Sequence, residues 1–170
     1  MNPITTAPLT LDTLPDGCRV WIFAAHRPFA TDEMESFSAM MTRVVGKWSA
    51  KYPGMRGCHM VVDDRFLVVG AEEHMTKLSG CSADAMLRMF IGLGAETGMQ
   101  LVDRMVVHYR DDDGAVQSAT RAEFAGLARS GAVNADTLVF DTTVTSSEGW
   151  RAGKFETPMK NTWLAQAFLN

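Results

Sequence analysis

A chain of 170 residues with 46% hydrophobic side chains holds material for one sizeable core, and two independent cores would be unusual at this length. Its 16 basic and 20 acidic side chains give a formal charge of -4, and no run of Lys or Arg could track a phosphate backbone, which argues against a nucleic-acid partner. No apolar run reaches the roughly 18 residues of a membrane span. The opening MNPITTAPLTLDTLPDG lacks the basic start and apolar centre of an export signal, so a soluble, cytoplasmic protein without a membrane partner is expected.

Residues 1–18 carry Thr, Pro and Gly without periodicity and read as a loosely ordered arm ahead of a single α+β domain over 19–170. In RVWIFAA (19–25), Val20 and Ile22 alternate with Trp21 and Phe23, so both faces are apolar, as in a central strand covered twice. Thr31 is placed to cap a helix whose first turn holds Asp32, Glu33 and Glu35. Met34, Phe37, Met41, Val44, Val45 and Trp48 form its apolar stripe. RGCHMVV and RFLVVGA then read as a hairpin around Asp63-Asp64, a turn without its preferred glycine.

A second helix is expected from about Ala83 to Thr97, with Gly98 as its left-handed cap and Asp84 and Arg88 as a surface pair. RMVVHYR (104–110) is the next strand, turned by DDDG into a short return around Val116. Thr120 with Glu123 makes a capping box for a third helix through Arg129. TLVFDTTV (137–144) reads as a further strand and Thr145 with Glu148 as a second capping box. Thr157-Pro158 reads as cap and first residue of a closing helix that carries Met159, Trp163, Leu164 and Phe168.

The order β-α-β-β-α-β predicts a ferredoxin-like sheet over 19–110, with 111–170 as a C-terminal α/β extension. Two helices cover one face of such a sheet. Either the extension or a second subunit has to cover the other, which makes a homodimer one expected solution.

Nucleotide and metal signatures fail on inspection. The glycines of GLGAETG (92–98) are out of register with G-x-G-x-x-G and fall late in a helix, and G-x-x-x-x-G-K-[ST] is absent. DDDG lacks the spaced ligands and distal Glu of a calcium loop, and neither the histidines nor Cys18, Cys58 and Cys81 have zinc spacing. No cofactor and no metal are expected, and the three cysteines read as free thiols. The 12 methionines read as gap-filling in an adaptable core.

SGCSADAM (79–86) is the one stretch with a chemical alternative. With Ser82 as N-cap, Cys81 and Met86 have the spacing of a hydrophobic staple, a structural role. The functional reading uses the unpaired N–H groups of the same helix start, which stabilise a thiolate or bind a carboxylate or phosphate, with Gly80 allowing close approach. In the expected topology that edge also gathers Arg19, Arg56, Cys58, His59 and Arg110. The site that follows is a small-anion pocket built from Ser79, Gly80, Ser82, Arg19 and Arg110 in a binding or interaction module. The alternative is a thiol-dependent enzyme or redox sensor, with Cys81 as nucleophile and His59 as base. The opposite edge, HRPF (26–29) with Asp63-Asp64 and Asp103-Arg104, reads as a solvated loop with an ion pair.

VWIFAAHRPF, SGCSAD with FIGLGAETGMQLVDRMVVHYR, and ETPMKNTWLAQAFL together resemble a family of small bacterial proteins, some of which carry the label ABC transporter ATPase. The resemblance covers most of the chain from residue 19. It implies no activity and no catalytic residues, and the phosphate loop that the label would require is missing.

Overall fold

A computed structural model of the chain describes residues 9–51, 55–73, 88, 91–92, 94–100 and 105–169. Its first half builds β1 (Arg19–Ala24), α1 (Thr31–Lys51), β2 (Met55–Val62) and β3 (Phe66–Glu73). The three strands form an antiparallel sheet in the order β1-β3-β2, so the crossover through α1 leaves room for β3 between its two strands. Strand alternation divides the side chains cleanly. Leu67, Val69 and Ala71 meet Phe37, Met41 and Val45 of α1, while Val20, Ile22, Phe66 and Val68 point to the other face.

The β2–β3 turn manages without glycine because Asp63 and Asp64 adopt φ of 50° and 51°. Aspartate is among the few residues that tolerate this left-handed region, and the tight turn matches the twist of the strands it joins. Helix α1 begins one residue earlier than a Thr31 cap would place it, with Ala30 at the cap position. Met34 N–H donates to Ala30 O, and the Glu33 carboxylate accepts from Ala30 N–H at 2.9 Å.

The second half forms its own antiparallel sheet in the order β5-β4-β6-β7: β4 is Val106–Arg110, β5 Val116–Thr120, β6 Leu138–Phe140 and β7 Glu156–Pro158. Helix α2 (Arg121–Ser130) starts at the expected Thr120–Glu123 capping box and ends at Gly131, with φ of 78°. With α4 (Trp163–Phe168) it covers the outer face of this sheet, burying Val107, Phe124, Val139, Met159 and Leu164. Between β6 and β7 lies α3 (Ser147–Arg151), and a 3-10 turn follows at Met159–Asn161.

The protein is therefore a mixed α/β fold with two antiparallel sheets, and the strand expected to complete the first sheet sits in the second. Val106–Arg110 pairs with β5 and β6. The backbone that meets β1 at its start is that of the loop before α3, through Val20 N–H to Thr145 O and Ser147 N–H to Cys18 O, both at 3.0 Å. Strand 137–144 is also shorter than its composition suggests. The Asp141 carboxylate accepts from Thr143 N–H and ends it in a local turn. Ser146, not Thr145, caps α3, and Thr157-Pro158 closes β7 while Thr162 caps α4.

The arm expected to be loose is packed over residues 9–18. Leu11 and Leu14 are buried against β3 at Gly70, where a Cβ would collide with Leu14 Cδ1 and stand 2.9 Å from Leu11 Cδ2. Gly70 supplies the groove by having no side chain. Ser147 Oγ donates to Pro15 O at 2.7 Å, Gly17 N–H to Glu148 at 2.8 Å, and Arg151 to Leu14 O and to Asp16. This segment and the second sheet together cover the face of β1 turned away from α1. Phe66 stacks on Phe140 at 4.7 Å and meets Phe155 edge-on at 5.2 Å. Of the two covers expected for this face, the C-terminal extension supplies one, together with residues 9–18. No helix among the described residues is long and apolar enough to cross a membrane.

Candidate functional site

Arg19 and Arg110, the two arginines expected at one anion pocket, do not come together. Arg19 opens β1 opposite Ala71, with its guanidinium 5.4 Å from the Trp21 ring centroid. Arg110 instead reaches the β2–β3 turn at the other end of that sheet, where it bonds Asp63 at 2.7 Å. Its Nε donates to Glu156 Oε1, its Nη2 to Glu156 Oε2 at 3.0 Å and its Nη1 to Gly114 O at 3.0 Å, and the group lies 5.1 Å from the Phe140 ring centroid. Two carboxylates and a carbonyl thus hold Arg110 as a clamp between the sheets. The expected placement failed because strand 104–110 was assigned to the first sheet. Ser79, Gly80, Cys81 and Ser82 lie outside the described residues, as do Asp103 and Arg104.

His59 and Cys58 project from opposite faces of β2. Burial lowers the His59 pKa. Cys58 is buried opposite Gly70 in the cluster that holds Leu14, and burial pushes its thiol up to about 11. Cys18 is buried in the same cluster, and neither thiol has the electropositive, accessible setting of a nucleophile. Arg56 pairs at 3.2 Å with the buried carboxylate of Glu72 across β2 and β3. The opposite edge does hold an ion pair: Arg27 grips Glu33 through two bonds of 2.6 Å, while His26 Nδ1 accepts from Gln100 N–H at 3.1 Å.

One pairing escaped the sequence reading. The β4–β5 register sets His108 opposite Ser118, and Nδ1 lies 2.8 Å from the exposed serine Oγ. The pair has the spacing of a nucleophile and its base, but the third group is of the wrong sign. A serine nucleophile needs an imidazole whose charged form is favoured by a carboxylate. Here burial first and the Arg65 charge second lower the His108 pKa to about 4, so the ring is a poor base at neutral pH.

The described surface offers a different site. A polar cleft of about 500 Å³ opens between the loop after β6, the end of α3 and the segment from β7 into the 3-10 turn. Thr143, Thr145, Ser146, Thr157 and Thr162 bring hydroxyls, Asn161 an amide, Asp141 a carboxylate and Lys154 an ammonium. The fold fixes most of these groups locally. Ser146 Oγ accepts from Gly149 N–H at 3.1 Å as the α3 cap, Thr162 accepts from Leu164 N–H at 3.2 Å as the α4 cap, and Asn161 donates to Thr157 Oγ1 at 3.4 Å. Gly149 lets the walls close: a Cβ there would stand 3.2 Å from Val144 Cγ1 and 3.9 Å from Lys154 Cδ.

In the sequence this site is visible only as the hydroxyl run TTVTSS (142–147), a composition common to loops. A smaller cleft of about 240 Å³ lies over Phe29, Phe37 and Met99, rimmed by Asp32 and Glu33, but Glu33 is already neutralised by Arg27. No group of three or more His, Cys, Asp and Glu among the described residues could hold a metal ion. No family model, no curated protein and no solved structure matches the chain.

Proposed function

We propose that this protein is a binding module whose ligand is a small polar molecule held in the cleft between β6, α3 and β7. The observation that carries this reading is the wall chemistry: donors and acceptors fixed by helix caps and turns around a cleft lined by hydroxyls, an amide and two charged side chains. The cleft replaces the helix-start pocket as ligand position, because Arg110 is committed to Asp63 and Glu156. Neutral hydrogen bonds contribute about 1 kcal/mol each net and charged ones about 2 kcal/mol. After the entropy of association, a Kd between about 10 μM and 1 mM follows for a small ligand.

Protein-observed NMR of the full chain against a library of neutral and charged polar metabolites tests this. Binders should shift amides at 141–146 and 153–162, and Thr157→Val should weaken them without changing the fold. A library that leaves those amides unmoved, or binders that act elsewhere, would overturn the reading.

A further inference from the structure

Asp141 and Lys154 line the same cleft, carry opposite charges and form no ion pair with each other or with any described residue. Among the described residues the Asp141 carboxylate accepts through Oδ1 alone, from the Thr143 N–H at 2.9 Å and from the Thr143 hydroxyl. Oδ2 is left for a ligand. Lys154 is anchored by its backbone, with N–H to Gly149 O at 3.1 Å, while its side chain is exposed.

Two charges of opposite sign on one cleft constrain what it accepts. A simple anion is drawn by Lys154 and repelled by Asp141, and a simple cation meets the reverse. A sugar would find hydroxyl partners but no ring to stack on, since none of the lining residues is aromatic. A molecule with an ammonium at one end and a carboxylate at the other answers both charges, and the hydroxyls between them take its remaining polar groups.

Resting on the binding reading above, we propose that the cleft accepts a small zwitterion of the amino-acid or dipeptide class, its ammonium on Asp141 and its carboxylate on Lys154. The test is a titration of the full chain, followed by NMR, with a panel of the common amino acids and glycyl dipeptides. For each binder the methyl ester keeps only the ammonium, and the N-acetyl form only the carboxylate. The expected result is binding of at least one zwitterion, with both derivatives roughly tenfold weaker or worse.

Asp141→Asn and Lys154→Gln should each weaken the zwitterion by a similar factor. Both side chains reach the surface, and a circular dichroism spectrum matching that of the parent checks that each variant folds. A derivative that binds as well as its zwitterion overturns the proposal, as does silence of the whole panel. If the panel is silent while other polar metabolites shift the cleft, the zwitterion fails and the binding reading stands. If both are silent, both fail.

Discussion

Arg65 and His108 are buried at the seam between the two sheets, a guanidinium beside an imidazole with no described carboxylate paired to the arginine. Arg65 Nη1 and Nη2 donate to Val116 O and His26 O at 3.3 Å each, and its Nε is buried without a partner. The arginine ties the end of β1 to β5, and it is tolerated beside His108 only while that ring is neutral.

The consequence is a defined pH dependence. The unfolded chain takes up the His108 proton near 6.5 and the folded chain near 4, so the unfolded state binds more protons in between. The stabilisation is complete above about 6.5 and is lost as the pH falls toward 4, with the His59 shift acting in the same direction. Urea unfolding should show a loss of about 2 kcal/mol between pH 7 and pH 4.5. The carboxylates held below their ordinary values, such as Glu33 and Asp111, lose their share only at lower pH. His108→Gln can keep a bond to Ser118 and should flatten most of the slope; an unchanged slope would mean that the seam is not its source.

Gly70→Val should detach the N-terminal segment. The valine would occupy the space of Leu11 and Leu14, and overpacking of this kind costs about 2 kcal/mol. Limited proteolysis should then cut within residues 9–18 of the variant while leaving the parent intact. Equal protection in both would show that the segment does not depend on that groove.

Arg110→Met removes a clamp and leaves Asp63 and Glu156 without their shared cation. With the side chain 22% exposed, a loss of about 2 kcal/mol is expected, short of the value for a fully buried pair. Ligand affinity in the cleft should not change. A variant that keeps its stability and loses its ligand would return Arg110 to the functional role its sequence position first suggested.

Alkylation separates the thiols. Cys18 and Cys58 are buried, and the Cys58 thiol is pushed up to about 11, so iodoacetamide at neutral pH should spare both in the native protein. All three cysteines should react in urea. Labelling of the folded chain then reads Cys81 alone, and a rapid reaction with a depressed pKa would favour the thiol-dependent alternative. Native labelling at Cys58 would contradict its burial.

Elements governed by local rules were legible. The periodicity of Met34, Phe37, Met41 and Val45 specified α1, and the reciprocal bonds of Thr120 and Glu123 specified the start of α2. Long-range pairing was not. Nothing local tells Val106–Arg110 to choose β5 and β6 over β1, and the doubly apolar β1 required a cover without naming it. The arm misled because Leu11 and Leu14 sit among Thr and Pro, and their burial depends on the distant Gly70. The cleft was illegible for a related reason: its walls come from residues 141–146 and 153–162, brought together by β6 and β7.

The bonds that fasten Leu14, Pro15, Asp16 and Gly17 to α3 span 131 to 137 residues of sequence. A chain leaving the ribosome releases the N-terminal segment well before its partner helix α3. Until Arg151 emerges, the strap over the apolar row of Val20, Ile22 and Val68 is unfastened, and the nascent first sheet is open to chaperones or to another unfinished chain. Emergence of α3, more than formation of any single element of the first sheet, is therefore the event that fastens this face.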